Sequence, residues 1–339
     1  MKNHQILYQH KGGLDVIQPL DLDLAEPQDG EVCVQIIACG VAFADILMRL
    51  GAYPGAPAFP FTPGYDLVGR VISSGPRCNI FKPGQFVAAL TVRGAYAAYI
   101  NLPQEELVPL PNGVDPYEAS ASILNYVTAW QMLQRHALVQ NGESILVHGA
   151  AGGVGTALLQ LAALSGLKVF GTASHAKHDL VSSLGATPID YHSEDFVSRI
   201  LQVTRGRGVD VVFDGVGGSN LWRSARALRR GGKLIGYGFL QSYNQDHINN
   251  TQTILTFGMM PLIMLQGKRV SFYSIGDEKK KDLAAFKNDL SSIFNLLKDH
   301  KINPVIGARF PLDQAAEAQR LLGSAAVSGK IILTCEETV

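Results

Sequence analysis

Hydrophobic and polar residues alternate in short runs over roughly the first 125 residues of the chain. The strand-like runs are EVCVQIIA (31–38), LVGRVISSG (67–75), GQFVAAL (84–90), AYAAYINL (95–102) and ELVPL (106–110). Pro and Gly lie between these runs, and a helical spacing of apolar residues interrupts them at ADILMRLG (44–51). The pattern predicts a compact, mostly antiparallel β-rich domain.

After Asn125 the pattern changes to strands alternating with helices. The predicted strands are ESILVHG (143–149), KVFGTAS (168–174), TPIDY (187–191), GVDVVFDG (208–215), GKLIGYG (232–238) and RVSFYSI (269–275). The predicted helices between them are GVGTALLQLAALSG (153–166), AKHDLVSSLG (176–185), EDFVSRILQVT (194–204) and NLWRSARALRR (220–230). Several of these strands are apolar without alternation, which is typical of strands covered on both faces. The sequence therefore predicts βαβ units and an α/β fold with a doubly wound parallel sheet.

The last part of the chain has a helix, strand, helix and strand pattern of its own. Because this tail is short, we expect it to return and complete the first domain rather than form a third one. The predicted domains are thus residues 1–125 together with 277–339, and residues 126–276.

Composition and charge exclude several classes of partner. Lys plus Arg and Asp plus Glu number 29 each, so the sequence lacks the basic excess that attracts nucleic acid or anionic lipid. The longest apolar stretch, residues 254–265, is too short to cross a bilayer, and the first 15 residues lack a signal peptide pattern. The four cysteines have no CxxC spacing. We expect a cytoplasmic protein that binds neither nucleic acid nor membrane.

Residues 150–155, AAGGVG, lie between a predicted strand and a predicted helix. Gly152 and Gly155 match the second and third glycines of the dinucleotide-binding fingerprint, and Ala150 replaces the first. In that setting the amide groups at the helix N-terminus bind a pyrophosphate, and the missing side chain of Gly152 allows close approach. The alternative is a glycine-rich turn that packs helix on sheet without a ligand.

The end of the following strand indicates which dinucleotide is bound. An NAD site usually carries an acidic residue there, but Ala173 occupies the position and no acidic residue occurs between Glu143 and Asp179. Ser174 and Lys177 instead offer a hydroxyl and a cation, which suit a 2′-phosphate. The sequence predicts NADPH as the cofactor.

Several motifs occur in an order that resembles the medium-chain dehydrogenase/reductase superfamily over essentially the whole chain. They are CGVAFADILMRLGAYPGAPAFPFTPGYDLVGRVISSG, FKPGQFVAAL, NYVTAW, GAAGGVG, FDGVGG and GKIILT. The resemblance implies a Rossmann domain plus a GroES-like β-rich catalytic domain. In the zinc-dependent members, a Cys and a His supply zinc ligands at the positions of Ala42 and Tyr65 here. Neither residue is a suitable ligand at neutral pH, so we expect no metal.

The metal-free members that the chain resembles are the quinone oxidoreductases (ζ-crystallin-like) and the related vesicle-amine-transport-like branch. The resemblance implies a zinc-independent, NADPH-dependent quinone or enone oxidoreductase, which transfers hydride to a quinone or an α,β-unsaturated carbonyl. The alternatives are a reductase of enoyl thioesters or other activated alkenes, and an NADPH-binding protein with a structural or regulatory role.

The candidate site residues follow from the same resemblance. Tyr53 and Tyr65 are the candidate catalytic residues, as donors to the substrate oxygen, and each could instead be a packed aromatic. The candidate cofactor-binding residues are Thr128, Ala151, Gly152, Gly153, Val154, Ser174, Lys177, Tyr191, Val216, Gly217, Gly236, Tyr237, Gly238 and Ser274.

Two further expectations concern the region after the fifth predicted strand. The strand RVSFYSI is expected to pair with its counterpart in a homodimer. Met259, Met260 and Met264 have helical spacing and are expected to form a packed or interface face, with a mobile cover over an apolar substrate as the alternative.

Overall fold

The computed structural model describes residues 1–244 and 247–335. In chain order the strands are β1 Lys2–Tyr8, β2 Ile17–Asp23, β3 Glu31–Val41, β4 Asp66–Ser74, β5 Phe86–Leu90, β6 Tyr99–Pro103, β7 Val108–Pro109, β8 Ser144–His148, β9 Lys168–Ala173, β10 Ala186–Asp190, β11 Val209–Asp214, β12 Leu228–Gly236, β13 Tyr243–Asn244, β14 His247–Ile248, β15 Arg269–Phe272, β16 Ile306–Pro311 and β17 Lys330–Thr334.

The α-helices are α1 Phe43–Arg49, α2 Pro116–Gln131, α3 Gly153–Leu164, α4 His178–Ser183, α5 Phe196–Val203, α6 Asn220–Ala227, α7 Asn250–Leu265, α8 Ile275–Lys281, α9 Leu283–Lys298 and α10 Ala315–Gly323. A π-helical segment, Met132–Ala137, continues α2. Short 3₁₀ helices lie at Leu14–Val16, Gln104–Glu106, His175–Lys177, Leu240–Ser242 and Leu312–Gln314.

The chain divides into two compact units: residues 1–127 with 276–339, and residues 128–275. The first unit contains a sheet in the order β16-β17-β3-β4-β5-β7, with β6 also pairing with β3, and a separate hairpin of β1 and β2. The long strand β3 is almost entirely buried. Its antiparallel partner β17 comes from the far end of the chain, so the returning segment completes the sheet.

The second unit is a parallel sheet in the order β10-β9-β8-β11-β12-β15. This is the strand order of a Rossmann fold, in which the direction of winding reverses between β8 and β11. The apolar strands predicted from sequence form its core, and α5, α6 and α7 contribute to one buried cluster over the sheet. The predicted fold class, a Rossmann domain plus a GroES-like β-rich domain, is confirmed.

Helix α6 ends earlier than the hydrophobic pattern predicts. The pattern extends the helix to Arg230, whereas Leu228 is already extended, with φ −83° and ψ 143°, and begins β12. An ion pair and a backbone angle favour the strand over a longer helix. Arg229 forms an ion pair with the buried carboxylate of Asp210 on the neighbouring strand β11, and Gly231 has a φ of +72° that a helix does not allow.

Helix α7 contains all three methionines of the expected helical face. Met259 packs against the core cluster of the second unit, next to the buried Ile263. Met264 is 54% exposed, so the methionines do not form one uniformly packed face. The strand β15 lies at the edge of the parallel sheet beside this helix.

Candidate active site

The glycine-rich turn connects β8 to α3 through two close backbone approaches. Gly149 has a φ of +66°, and its carbonyl accepts a hydrogen bond of 2.9 Å from the amide of Gly152. A Cβ at Gly155 would lie 2.2 Å from the Gly149 carbonyl oxygen, so only glycine allows α3 to pack this tightly on the turn. At Gly152 the same distance would be 3.2 Å, which is a much looser approach. The third glycine is therefore structural, and the second leaves space in front of the helix.

The N-terminus of α3 is suited to an anion. Gly152 is the N-cap residue, and within the described residues no side chain caps the helix. The first turn holds no acidic residue, and its amides belong to Gly153, Val154 and Gly155. Unsatisfied amides and the helix dipole at such an end attract a phosphate.

Ser174 and Lys177 follow the carboxyl end of β9, next to the glycine turn. The carbonyl of Thr172 accepts a 3.0 Å hydrogen bond from the amide of Ala150, which holds the ends of β8 and β9 together. Ser174 is the N-cap of a short 3₁₀ helix that ends at Lys177. Burial lowers the pKa of Lys177, so a nearby anion would stabilise its charged form.

The loops after β11 and β12 approach each other closely. Asp214, at the end of β11, accepts hydrogen bonds from the amides of Val216 (2.8 Å) and Gly217 (3.0 Å). A Cβ at Gly238 would lie 2.5 Å from the carbonyl oxygen of Gly215, so this pair of loops requires glycine. The ring of Tyr237 covers Gly215, and its hydroxyl lies 3.5 Å from the carbonyl oxygen of His148 on β8.

The candidate cofactor residues thus lie mainly along one edge of the sheet. They occur at or after the carboxyl ends of β8, β9, β10, β11, β12 and β15, which is where doubly wound folds bind ligands. Tyr191, after β10, is 52% exposed, and Ser274 follows β15. Thr128 is the exception, because it lies on α2 and is 5% exposed. These assignments to cofactor contact stay predictions.

A buried network of hydrogen bonds beneath these loops was not predicted from the sequence. The imidazole of His148 contacts the hydroxyl of Thr172 at Nδ1 and that of Ser224 at Nε2, both at 3.0 Å. Ser224 donates a 2.6 Å hydrogen bond to Asp214, and Thr172 accepts a 3.3 Å hydrogen bond from the amide of Gly149. The one feature of the sequence that indicates this network is His148, a polar residue at the end of the apolar run ILVHG.

The donor and acceptor of each hydrogen bond in this network follow from the Asp214 carboxylate, which can only accept. Ser224 gives its only proton to the Asp214 carboxylate, so it accepts a proton from His148 Nε2. Nδ1 of His148 then accepts from Thr172, which leaves the Thr172 oxygen to accept the Gly149 amide. Burial lowers the pKa of His148, consistent with this neutral tautomer. This hydrogen-bond network links the glycine turn to the loop that holds Val216 and Gly217.

In the first unit, Tyr53 and Tyr65 form a hydrogen-bonded pair. Their hydroxyl oxygens are 2.6 Å apart, and their rings meet edge to face with centroids 6.3 Å apart. Tyr65 directly precedes β4 and is 2% exposed, while Tyr53 lies in the loop after α1 and is partly exposed. The structure brings these two candidates together in one pair.

Burial changes the acidity of both phenols. Burial raises the pKa of Tyr53, and the hydrogen bond with Tyr65 partly offsets this increase. The pKa of Tyr65 is raised by burial and further by Tyr53. Burial thus raises the pKa of both phenols, and either hydroxyl can donate the hydrogen bond between them.

The buried carboxylate of Asp45 supports the segments that carry Tyr53 and Tyr65. Asp45 accepts hydrogen bonds from the amide of Ala42 (2.8 Å), the amide of Gly64 (3.3 Å) and the hydroxyl of Tyr96 (3.1 Å). Burial raises the pKa of Asp45 to about 6. It thus ties the start of α1 to the residue before Tyr65.

The residues at the family's zinc positions do not fit a metal site. Ala42 has no donor atom, and the Tyr65 hydroxyl is engaged with Tyr53. Asp66 is paired with Lys330 at 3.2 Å. In the part of the chain that the structure describes, no three His, Cys, Asp or Glu side chains converge as metal ligands.

Two protein families match the chain. Residues 28–112 match the family described as "Alcohol dehydrogenase GroES-like domain", and residues 184–333 match the one described as "Zinc-binding dehydrogenase". Residues 1–244 and 247–335 contain no helix that is long and apolar enough to span a membrane.

Curated relatives and solved structures match over nearly the full length. The chain is 32% identical over 334 residues to a synaptic vesicle membrane protein VAT-1 homolog of Danio rerio, covering 96% of this chain and 68% of the relative. It is 33% identical over 327 residues to the quinone oxidoreductase of Rattus norvegicus, covering 95% and 94%. The Escherichia coli quinone oxidoreductase, solved in complex with NADPH, has a TM-score of 0.86 and 28% identity, covering 98% and 99%.

Proposed function

This chain belongs to the medium-chain dehydrogenase/reductase superfamily of oxidoreductases, and we propose that it reduces a quinone or an α,β-unsaturated carbonyl with NADPH and without a metal ion. NADPH, when bound, supplies the hydride. The residues of this chain bind and orient the reactants and supply the proton.

The observation that carries the proposal is the arrangement at the carboxyl ends of β8 and β9. The amides at the start of α3 are suited to the pyrophosphate, and Gly152 leaves space for it. Ala173 stands where an NAD enzyme carries an acid, and Ser174 and Lys177, which follow it, would hold the 2′-phosphate. The E. coli quinone oxidoreductase, a fold relative of this chain, was solved with NADPH.

The proposal of metal-free reduction depends on the chemistry of the donor set. Ala42 and Tyr65 cannot replace a Cys and a His as zinc ligands. A quinone or enone does not require a Lewis acid, because the negative charge that develops is delocalised onto its carbonyl oxygen. A hydrogen-bond donor at that oxygen is sufficient to stabilise it.

We assign that role to the Tyr53 hydroxyl, with Tyr65 as the positioning residue behind it. Tyr53 is the more exposed phenol, whereas Tyr65 is buried behind it. When Tyr53 gives its proton to the substrate oxygen, the 2.6 Å hydrogen bond from Tyr65 stabilises the phenolate that remains.

The test is to mix the purified protein with NADPH or NADH and a panel of quinones, enones and enoyl thioesters, and to follow cofactor absorbance. We expect turnover of quinones or enones with a clear preference for NADPH. Faster turnover of the thioesters would establish the alternative reductase, and tight NADPH binding without any turnover would establish a structural or regulatory role. A preference for NADH would contradict the cofactor assignment.

We also propose that the protein is a cytoplasmic homodimer that pairs through β15. This strand lies at the edge of the parallel sheet, where its outer backbone groups can pair with a second copy. The four cysteines are unbridged, which is typical of a reducing compartment. Sedimentation analysis should give twice the chain mass, and a Val270→Pro variant, which removes a backbone donor from this strand, should shift the protein toward the monomer.

A further inference from the structure

Two cysteines from opposite ends of the chain meet in the first unit. The Sγ atoms of Cys39 and Cys335 are 3.8 Å apart, although the residues are 296 positions apart in sequence. Cys39 lies on β3, and Cys335 follows the last residue of β17. Leu333 is the register partner of Cys39, so Cys335, two residues further on, lies on the same face of the sheet and diagonally across from Cys39.

The backbone around the pair is fixed by the sheet. Leu333 is the register partner of Cys39, and the amide of Cys335 donates a 3.0 Å hydrogen bond to the carbonyl of Ile37, which extends the ladder beyond β17. A disulfide bond is about 2.05 Å long, so the sulfurs need to approach each other by about 1.8 Å. Cys335 lies beyond the end of β17, so a small shift disturbs only the hydrogen bond of its own amide and none within β17.

We propose that Cys39 and Cys335 form a dithiol that is reversibly oxidised to a disulfide by a peroxide. Neither the hydride transfer nor the NADPH site requires these thiols, so the inference is independent of the proposed function.

The order of the steps follows from exposure. Cys39 is completely buried, and burial raises the pKa of its thiol, whereas Cys335 is partly exposed. The Cys335 thiolate therefore attacks hydrogen peroxide first, forming an S–O bond as the O–O bond breaks and releasing hydroxide. Cys39 then attacks the Cys335 sulfur, the S–S bond forms and water leaves. In total, two thiols and one peroxide give one disulfide and two waters, and a dithiol reductant reverses the reaction.

The disulfide would connect the two parts of a discontinuous unit. Strand β3 belongs to the N-terminal part, and β17 belongs to the segment that returns after the second unit. Oxidation would thus lock the returning segment onto the central strand of the sheet. Because the closed loop is very long, the cross-link strongly restricts the unfolded chain and is expected to raise the melting temperature.

The experiment counts thiols in the full-length protein. The protein is treated with hydrogen peroxide, denatured in the presence of an alkylating reagent and weighed by intact mass spectrometry. We expect two of the four thiols to be lost in the treated protein and recovered with dithiothreitol. Peptide mapping should identify one cross-link, between the peptides containing Cys39 and Cys335.

Four single variants test the assignment, two within the pair and two as matched controls. Cys39→Ser and Cys335→Ser should each abolish the cross-link and the rise in melting temperature on oxidation. In Cys39→Ser, a sulfenic acid at Cys335 should be trapped by dimedone. Cys33→Ser changes a buried cysteine on the same strand β3, and Cys78→Ser changes a partly exposed one, so both should still form the cross-link.

Three outcomes would overturn the proposal. They are retention of all four thiols after treatment, a cross-link that maps to another pair, and a cross-link only between two chains. Because thiols are counted in the wild-type protein, the result does not depend on whether a variant folds.

Discussion

The hydroxyl oxygens of Tyr53 and Tyr65 lie 2.6 Å apart, with Tyr65 buried and Tyr53 partly exposed. In the proposed mechanism this pair delivers one proton, so each phenol can be tested by removing its hydroxyl alone.

We expect Tyr53→Phe to lower kcat by about 10²- to 10⁴-fold, the usual contribution of a general acid. Tyr65→Phe should lower kcat less, because it removes only the hydrogen bond that stabilises the Tyr53 anion. NADPH affinity should stay unchanged in both variants, since the candidate cofactor residues belong to the other unit. Steady-state kinetics and a fluorescence titration with NADPH measure the two quantities. Tyr99→Phe, on β6, is the control, and equal losses in all three variants would remove Tyr53 from its catalytic role.

Lys177 is expected to determine cofactor preference. A charged hydrogen bond to a phosphate contributes about 1.5–3 kcal/mol, so Lys177→Met should raise the Kd for NADPH by roughly 10- to 100-fold. The Kd for NADH should hardly change, because NADH lacks the 2′-phosphate.

The control for that comparison is Lys168→Met, at the start of β9, the strand that Lys177 follows. It should leave both Kd values unaltered. Equal weakening of NADPH and NADH by Lys177→Met would mean that the lysine supports the loop rather than the phosphate.

Much of the second unit was predictable because its signals are local. A buried parallel strand is an apolar run, and a glycine turn between such a run and a helix is readable from the residues alone. The order β10-β9-β8-β11-β12-β15 then follows from the winding rules of these folds.

Helix α2 was not predicted, and its buried residues explain why. Ser120, Ser122, Asn125, Thr128 and Gln131 are all at most 5% exposed, so polar residues interrupt the apolar spacing that indicates a helix. The hydrogen-bond network that connects Gly149 to Asp214 through His148 was also not predicted. Its members come from three strands and a helix, and only the folded sheet brings them together.

Two glycines of the turn should respond differently to alanine. At Gly155 the added Cβ would lie 2.2 Å from the Gly149 carbonyl oxygen, so Gly155→Ala should shift α3 and destabilise the protein by several kcal/mol. At Gly152 the distance is 3.2 Å and φ is −78°, which alanine tolerates.

Gly152→Ala should therefore fold with nearly the wild-type melting temperature but bind NADPH much more weakly, because the methyl group occupies the space for the pyrophosphate. Thermal unfolding and NADPH titration distinguish the two effects. Unchanged NADPH affinity in Gly152→Ala would indicate that the glycine turn only packs helix on sheet.

The buried carboxyl of Asp45 should make stability depend on pH. Burial raises its pKa to about 6, and the neighbouring Asp66 raises it further while Lys330 and the hydrogen bonds of Ala42 and Tyr96 oppose the increase. Because the folded-state pKa lies above the ordinary value of 3.8, its contribution to stability is fully present below about pH 3.8 and is lost as the pH rises through about 6. The full change amounts to about 3 kcal/mol, as an order of magnitude.

Asp45→Asn cannot ionise, so the difference in unfolding free energy between the wild type and this variant should shrink as the pH rises from 4 to 7. Urea denaturation at several pH values measures this difference. Asp195→Asn is a control whose difference from the wild type should stay nearly constant between pH 4 and 7. Hydrogen bonds from Ser198 and Arg223 lower the pKa of Asp195 to about 2, so its contribution is lost only as the pH falls below about 3.8. Should Asp45→Asn fail to fold, an NMR titration of the Asp45 carboxyl in the wild type still decides the matter, since a midpoint near 4 would contradict the burial argument.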